Sequence, residues 1–396
     1  MKNSLISSKK EKKECFLAID IGTETIKTII FEREKGKITI IGSSFQPLEG
    51  LEFEKYVNLG ADLIKKAILK SVEELKEKMP KKKEISVFLG LPADILKASL
   101  FYQAFERANP KIEIQEKEEQ EIYQNVLKES QKEISNFFSQ SYGILPKDLE
   151  FINLEILEIK IDGYMVPCLR GFKGQDLNFK IMAVFSPRYY LEFFKKIFEE
   201  TGLKIFKIVH PVQNLKKAFN DNISDGIFLD ISGDLTQIFL IKERKLLYIS
   251  GLEIGDKSFT RSLSQDLGLS EKMTENLKEK YSRRVLSEEA RKKIKKILED
   301  VLQEWFSNLK IKLKETKQLP LPSNFYLFGE GSNLPDIKEI IEEGDWEGLI
   351  YLQKPTVNLL SLKDFRNIED KTNNFNNPQT ISSVLICYAP LEISWF

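Results

Sequence analysis

Residues Gly226 to Ser250 read GIFLDISGDLTQIFLIKERKLLYIS, and the same pattern stands near the start of the chain, in Phe16 to Ile40. Each copy opens on an apolar run ending in Asp-Ile: Phe16-Leu17-Ala18-Ile19-Asp20-Ile21 in one, Ile227-Phe228-Leu229-Asp230-Ile231 in the other. Small and polar residues follow, then a β-branched run, a charged turn and another apolar run. That order predicts a β-meander with a sharp polar loop between its first two strands. The two aspartates lie about half a chain apart in 396 residues, so the sequence reads as two related halves.

A loop of small residues leaving a buried strand brings backbone N–H groups to phosphate oxygens, and a carboxylate at the strand end holds the accompanying magnesium. In the first half the candidates are Gly22, Thr23 and Glu24 for phosphate and Asp20 for the metal. In the second they are Ser232, Gly233 and Thr236, with Asp230 at the metal. Two such loops form a phosphate clamp, and the expected ligand is ATP with Mg2+.

AIDIGTETIK (18–27), LDISGDLTQI (229–238) and FGEGSNLP (328–335) resemble the phosphate-1, phosphate-2 and adenosine motifs of the actin, heat-shock-chaperone and sugar-kinase ATPase superfamily. Within it the chain resembles the branch of the bacterial cell-division protein FtsA and its pilus-assembly relative PilM, over nearly all of Cys15 to Tyr388. The resemblance implies an α/β, actin-like two-lobed ATPase fold: duplicated ribonuclease-H-like mixed sheets of five strands each, with helices and a small inserted 1C (SHS2-like) subdomain. The implied division is a basic tail over 1–14, a first lobe over 15–92 and 187–220, the inserted subdomain over 93–186, a second lobe over 221–390 and a short apolar end over 391–396.

The same resemblance assigns Gly329, Gly331 and Ser332 to the adenosine loop, the glycines letting backbone lie where a Cβ would clash. Thr274-Glu275-Asn276-Leu277-Lys278 resembles a segment whose Glu and Lys reach the ribose and adenine, so Glu275 and Lys278, one helical turn apart, are expected at the ligand. In the second phosphate loop this chain departs from the family's D-I-G-G-G-T-T-D. Ser232 and Asp234 replace glycines, and Gln237 replaces the closing acid, which makes Gln237 the candidate for orienting water and implies at most a slow ATPase.

Lys+Arg 60 against Asp+Glu 60 gives no charge-based reason to expect nucleic acid. Cys15, Cys168 and Cys387 show no paired spacing, so neither a disulfide framework nor a zinc site is expected. His210, the single histidine, precedes Pro211 with no nucleophile beside it, and reads as a turn or packing residue. No apolar run reaches the length of a membrane span, and the start MKNSLISSKKEKKE lacks an apolar signal core. These features predict a cytoplasmic protein. The long linker and membrane-binding terminal helix of FtsA have no counterpart, so recruitment to the inner membrane is expected through partners.

Helices are expected over 58–79, from the Ser186-Pro187 start to Gly202, over 287–317 and around 380–388, with an Asn-rich linker before the last. The first functional reading is an FtsA-like cytoskeletal or scaffold protein that assembles with itself and with cell-division proteins at the membrane. Alternatives are a PilM-like scaffold of type IV pilus assembly and a nucleotide-binding pseudoenzyme. A small-molecule kinase needs a carboxylate base that His210-Pro211-Val212-Gln213-Asn214 does not supply.

Overall fold

A computed structural model describes residues 14–48, 57–80 and 85–389. The expected basic tail lies outside these except for Glu14, which opens the first strand, and the apolar end 391–396 lies outside them entirely. In chain order the first meander is β1 (Glu14–Ile21), β2 (Thr25–Glu34) and β3 (Lys37–Pro47), followed by α1 (Val57–Leu75) and β4 (Ser86–Gly90). Then come β5 (Lys97–Glu106), α2 (Glu116–Tyr142), β6 (Leu149–Ile161), β7 (Tyr164–Val166), β8 (Asp176–Pro187), α3 (Arg188–Thr201), β9 (Lys204–Ile208) and α4 (Val212–Ala218). The second meander is β10 (Gly226–Ser232), β11 (Leu235–Lys242) and β12 (Lys245–Leu252). After it follow α5 (Asp256–Leu267), α6 (Glu271–Ser282), α7 (Glu288–Glu315), β13 (Asn324–Phe328), α8 (Pro335–Glu343), β14 (Thr356–Leu359), β15 (Ile368–Asp370) and α9 (Ile381–Ile386).

The described chain groups into two compact units, one of 14–90, 197–223 and 360–389, the other of 91–196 and 224–359. The first unit holds a mixed sheet ordered β15-β3-β2-β1-β4-β9. Antiparallel pairing through the meander gives way to parallel β1–β4 and β4–β9 contacts. β1 and β2 lie inside the sheet, and β2 is buried on both faces from Ile26 to Phe31, Lys27 and Thr28 included. The turn Lys35-Gly36 takes positive φ at both residues (49° and 76°), the type I′ conformation that suits a two-residue hairpin. Helix α1 buries Ile64, Ala67, Ile68 and Leu75, whereas Leu63 is exposed.

The second unit repeats the plan as β12-β11-β10-β13-β14, again antiparallel in the meander and parallel beyond it. Its core gathers Leu229, Ile238 and Leu240 from the meander with Leu298, Trp305 and Leu309 from α7. Residues 91–196 add a four-stranded sheet, β5-β8-β6-β7, on which α2 packs Ile122 and Val126 against Phe179 and Ile181. The two sheets of this unit are joined where Lys180 of β8, a buried cation, donates to the Leu246 carbonyl of β12 at 2.6 Å.

Three expectations change. Ser186 and Pro187 do not start a helix: β8 runs through both, paired with Leu149 and Glu150 of β6, and α3 begins one residue later. The Asn-rich linker contains β15, which pairs in parallel with Ile38–Ile40 and makes the first sheet six-stranded instead of five. With β15 on β3 and α9 on β1, residues 360–389 belong to the first unit, although a second-lobe span of 221–390 placed them in the other.

Candidate functional site

Both meanders put an aspartate at the carboxyl end of their first strand, with the same neighbours in register. Asp20 stands opposite Lys27 on β2 and Gly90 on β4. Asp230 stands opposite Gln237 on β11 and Phe328 on β13, one residue before Gly329. Each carboxylate accepts a hydrogen bond from a serine. For Asp230 the donor is Ser232, two residues on, with Oγ to Oδ1 at 2.6 Å. For Asp20 it is Ser383 of α9, with Oγ to Oδ2 at 2.7 Å.

The loops differ in construction. After β1, Gly22, Thr23 and Glu24 make a turn closed by the Gly22 N–H donating to the Thr25 carbonyl at 3.0 Å. After β10 only Gly233 and Asp234 separate the strands, Gly233 taking φ 49°. Asp234 is half exposed and forms an ion pair with Arg261, so its charge is directed to the protein surface. Against this second loop the chain brings bare backbone. A Cβ on Gly255 would stand 2.4 Å from the Gly233 carbonyl oxygen. On Gly329, at φ 87°, it would stand 2.4 Å from Ser232 Oγ and 2.6 Å from Asp230 Oδ1. Ser332 Oγ donates to the Gly329 carbonyl at 2.6 Å and closes the 3-10 turn Glu330–Asn333, while Gly331 lies against Ile231 and Asp256.

Behind the loop is a buried polar cluster. Lys278 gives its ammonium to Asp256 Oδ2 (2.6 Å), Thr260 Oγ1 (2.6 Å) and Glu275 Oε1 (2.9 Å). Thr260 also donates to Glu275. Burial pushes the Asp256 carboxyl up to about 6, with the Lys278 ammonium pulling the other way. Burial works against the Lys278 charge, but the carboxylates of Asp256 and Glu275 outweigh it and hold its pKa above the ordinary lysine value. Asp256 Oδ1 is buried with no hydrogen-bond partner.

No family model matches the chain. Over 358 residues it is 23% identical to the cell division protein FtsA of Streptococcus pneumoniae, covering 83% of this chain and 73% of that one. FtsA of Enterococcus faecalis is 22% identical over 351 residues, with 83% and 76% covered. Among solved structures, a chain of a PilM-PilN type IV pilus biogenesis complex superposes with a TM-score of 0.66 at 16% identity, covering 95% of this chain and 99% of that chain. The ethanolamine utilization protein EutJ of Carboxydothermus hydrogenoformans gives 0.50 at 12% identity, covering 96% and 92%. The chain has the actin-like ATPase fold and is similar in sequence to FtsA.

In this FtsA-like chain three of the expected ligand contacts have other work. Thr236 is fully buried, accepting from Trp305 Nε1 at 3.0 Å and donating to the Ile254 carbonyl at 2.7 Å, so its hydroxyl faces the core and not the loop. An ammonium has three N–H bonds, and those of Lys278 have three protein acceptors. It is the counter-ion of buried Asp256 and of the partly exposed Glu275. Glu275 shares that cluster. Asp256, the residue that organises it, carries no signal in the sequence that sets it apart from other acids at a helix start.

The oxygen donors at the strand ends suit a hard cation such as Mg2+, since Asp20, Asp230 and their serines offer carboxylate and hydroxyl oxygens without sulfur or imidazole. Gln237 is buried on β11 beside Asp230. His210 is buried too, and burial lowers it to about 3, so the ring is neutral. Its Nδ1 accepts the Val212 N–H at 3.2 Å, which makes it a turn residue at the start of α4. Among the described residues no helix is long and apolar enough to cross a membrane.

Proposed function

We propose that this chain is a nucleotide-dependent scaffold of the FtsA kind. It binds ATP with Mg2+ through the loops that follow Asp20 and Asp230, assembles with copies of itself, and joins cell-division proteins at the cytoplasmic face of the inner membrane. The observation that carries the reading is the repeated strand-end aspartate, clamped by a serine, with glycine backbone pressed against the second loop. Backbone N–H groups and a removed Cβ suit phosphate oxygens. When bound, Mg2+ supplies the positive charge that lets a triphosphate approach two aspartates. Asp20 in one unit and Asp230 in the other are the candidate cation ligands, with Gly22 and Thr23, and Ser232 and Gly233, as candidate phosphate contacts of their own loops.

Hydrolysis is slow in this reading. Gln237 offers an amide where an acid would polarise water, and an amide orients water but is a poor proton acceptor. A PilM-like scaffold of pilus assembly is the second reading, favoured by a superposition that spans almost the whole of both chains. Sedimentation with and without MgATP tests self-assembly, which should appear only with nucleotide. Flotation with anionic liposomes tests recruitment. The protein alone should remain in the lower fractions and rise when a membrane-bound partner is supplied, whereas flotation of the protein alone would contradict recruitment through partners.

A further inference from the structure

We propose that Ser383 is a positioning residue for the cation at Asp20, an inference that rests on the nucleotide reading above. A buried helical serine ordinarily returns its proton to the carbonyl four residues back. Ser130, equally buried in α2, does this with Val126 O at 2.7 Å. Ser383 does otherwise: fully buried in α9, it donates to Asp20 Oδ2 across 363 positions of sequence.

Helix α9 is itself fixed for this purpose. Asn214 Nδ2 donates to the Leu385 carbonyl at 2.9 Å, and the Arg33 guanidinium donates to the Cys387 carbonyl. On the neighbouring strand Gly90 leaves the space. A Cβ there would lie 2.3 Å from Ile386 Cδ1 and 2.9 Å from Asp20 Oδ1, so carboxylate and helix pack over a bare backbone. From α9, Ser383 thus holds one oxygen of the Asp20 carboxylate. In the other unit Ser232, the last residue of β10, bonds Asp230 from the same strand, so the two halves reach one device from different elements. Hydrogen bonds of this kind orient metal-ligating carboxylates, and their loss typically weakens metal binding about ten- to a hundredfold.

The test counts Mn2+ bound, by electron paramagnetic resonance, at saturating ADP in wild type, Ser383→Ala, Asp20→Asn and the double variant, with ADP affinity in EDTA measured separately. Ser383→Ala should weaken Mn2+ about tenfold or more. ADP affinity in EDTA should be unchanged, the double variant should bind Mn2+ no worse than Asp20→Asn alone, and Ser383→Thr, which keeps the hydroxyl, should restore binding. Equal losses with and without metal, or additive losses in the double variant, overturn the positioning role. Wild type that binds ADP but not Mn2+ overturns it while leaving nucleotide binding standing, and wild type that binds neither overturns both.

Discussion

The two meanders solve one problem with different materials. In the first, Asp20 faces a buried lysine, Lys27, and is held by a helix from the far end of the chain. In the second, Asp230 faces an amide, Gln237, and is held by the next residue but one. The second carboxylate is thus held by a local serine, its loop packed by the backbone of Gly255 and Gly329 and backed by a buried charge cluster, and the first is held by a distant helix. Damage should follow the same division. Substitutions behind the second loop act through buried charge and backbone strain, and those behind the first through helix placement.

The largest effect is expected from Lys278→Met, which leaves the buried Asp256 without its ammonium. Breaking a buried pair in this way costs about 3–5 kcal/mol. The sign with pH follows from Asp256, whose folded-state carboxyl lies near 6, above its ordinary 3.8. Such a group contributes stability below its unfolded value and loses it as pH rises through its folded value. Urea unfolding should therefore show the Lys278→Met deficit in full at pH 8 and much reduced at pH 5, with Asp256→Asn in the same chain relieving it. A deficit that is the same at both pH values would separate Asp256 from the effect.

The glycines beside the two aspartates sharpen the contrast. Gly329→Ala carries backbone strain at φ 87°, of about 1–3 kcal/mol, and also drives a Cβ into Ser232 and Asp230. Gly90→Ala meets chiefly the flexible end of Ile386 and should cost about 1 kcal/mol, the low end for overpacking. Equal losses on denaturant unfolding would show that the first loop is as tightly built as the second. A smaller and purely kinetic effect is expected at Gln237. Wild-type single-turnover hydrolysis should be slow, Gln237→Ala should change it little, and Gln237→Asp should raise it about tenfold or more if a proton acceptor is what is missing. Rapid wild-type turnover, indifferent to Gln237→Ala, would place the limiting chemistry elsewhere.

Most of the fold was legible because each half declares itself locally. The Asp-Ile strand ends, the Lys35-Gly36 turn and the spaced apolar residues of α1, α2 and α7 all act within one element or between neighbours. What could not be read depends on contacts distant in sequence. β15 is three residues of an Asn-rich stretch and becomes a strand only because β3 offers an open edge. Ser383 lies on a six-residue helix, and nothing around it marks a partner at Asp20. The buried setting of Lys278 is hidden from the sequence for a related reason. Its i, i+3 relation to Glu275 is visible in sequence, but the third member of the cluster, Asp256, sits 22 positions away on another helix.

The measurement closest to the central claim is thermal unfolding with and without millimolar ATP and Mg2+, in wild type, Asp20→Ala and Asp230→Ala. Nucleotide at a hundredfold excess over its dissociation constant should stabilise wild type by about 2.7 kcal/mol. Each alanine variant should keep its fold and lose the magnesium-dependent part of that gain. A wild type whose melting temperature does not move, or variants that respond to MgATP as wild type does, would contradict a nucleotide and cation site built on these two aspartates.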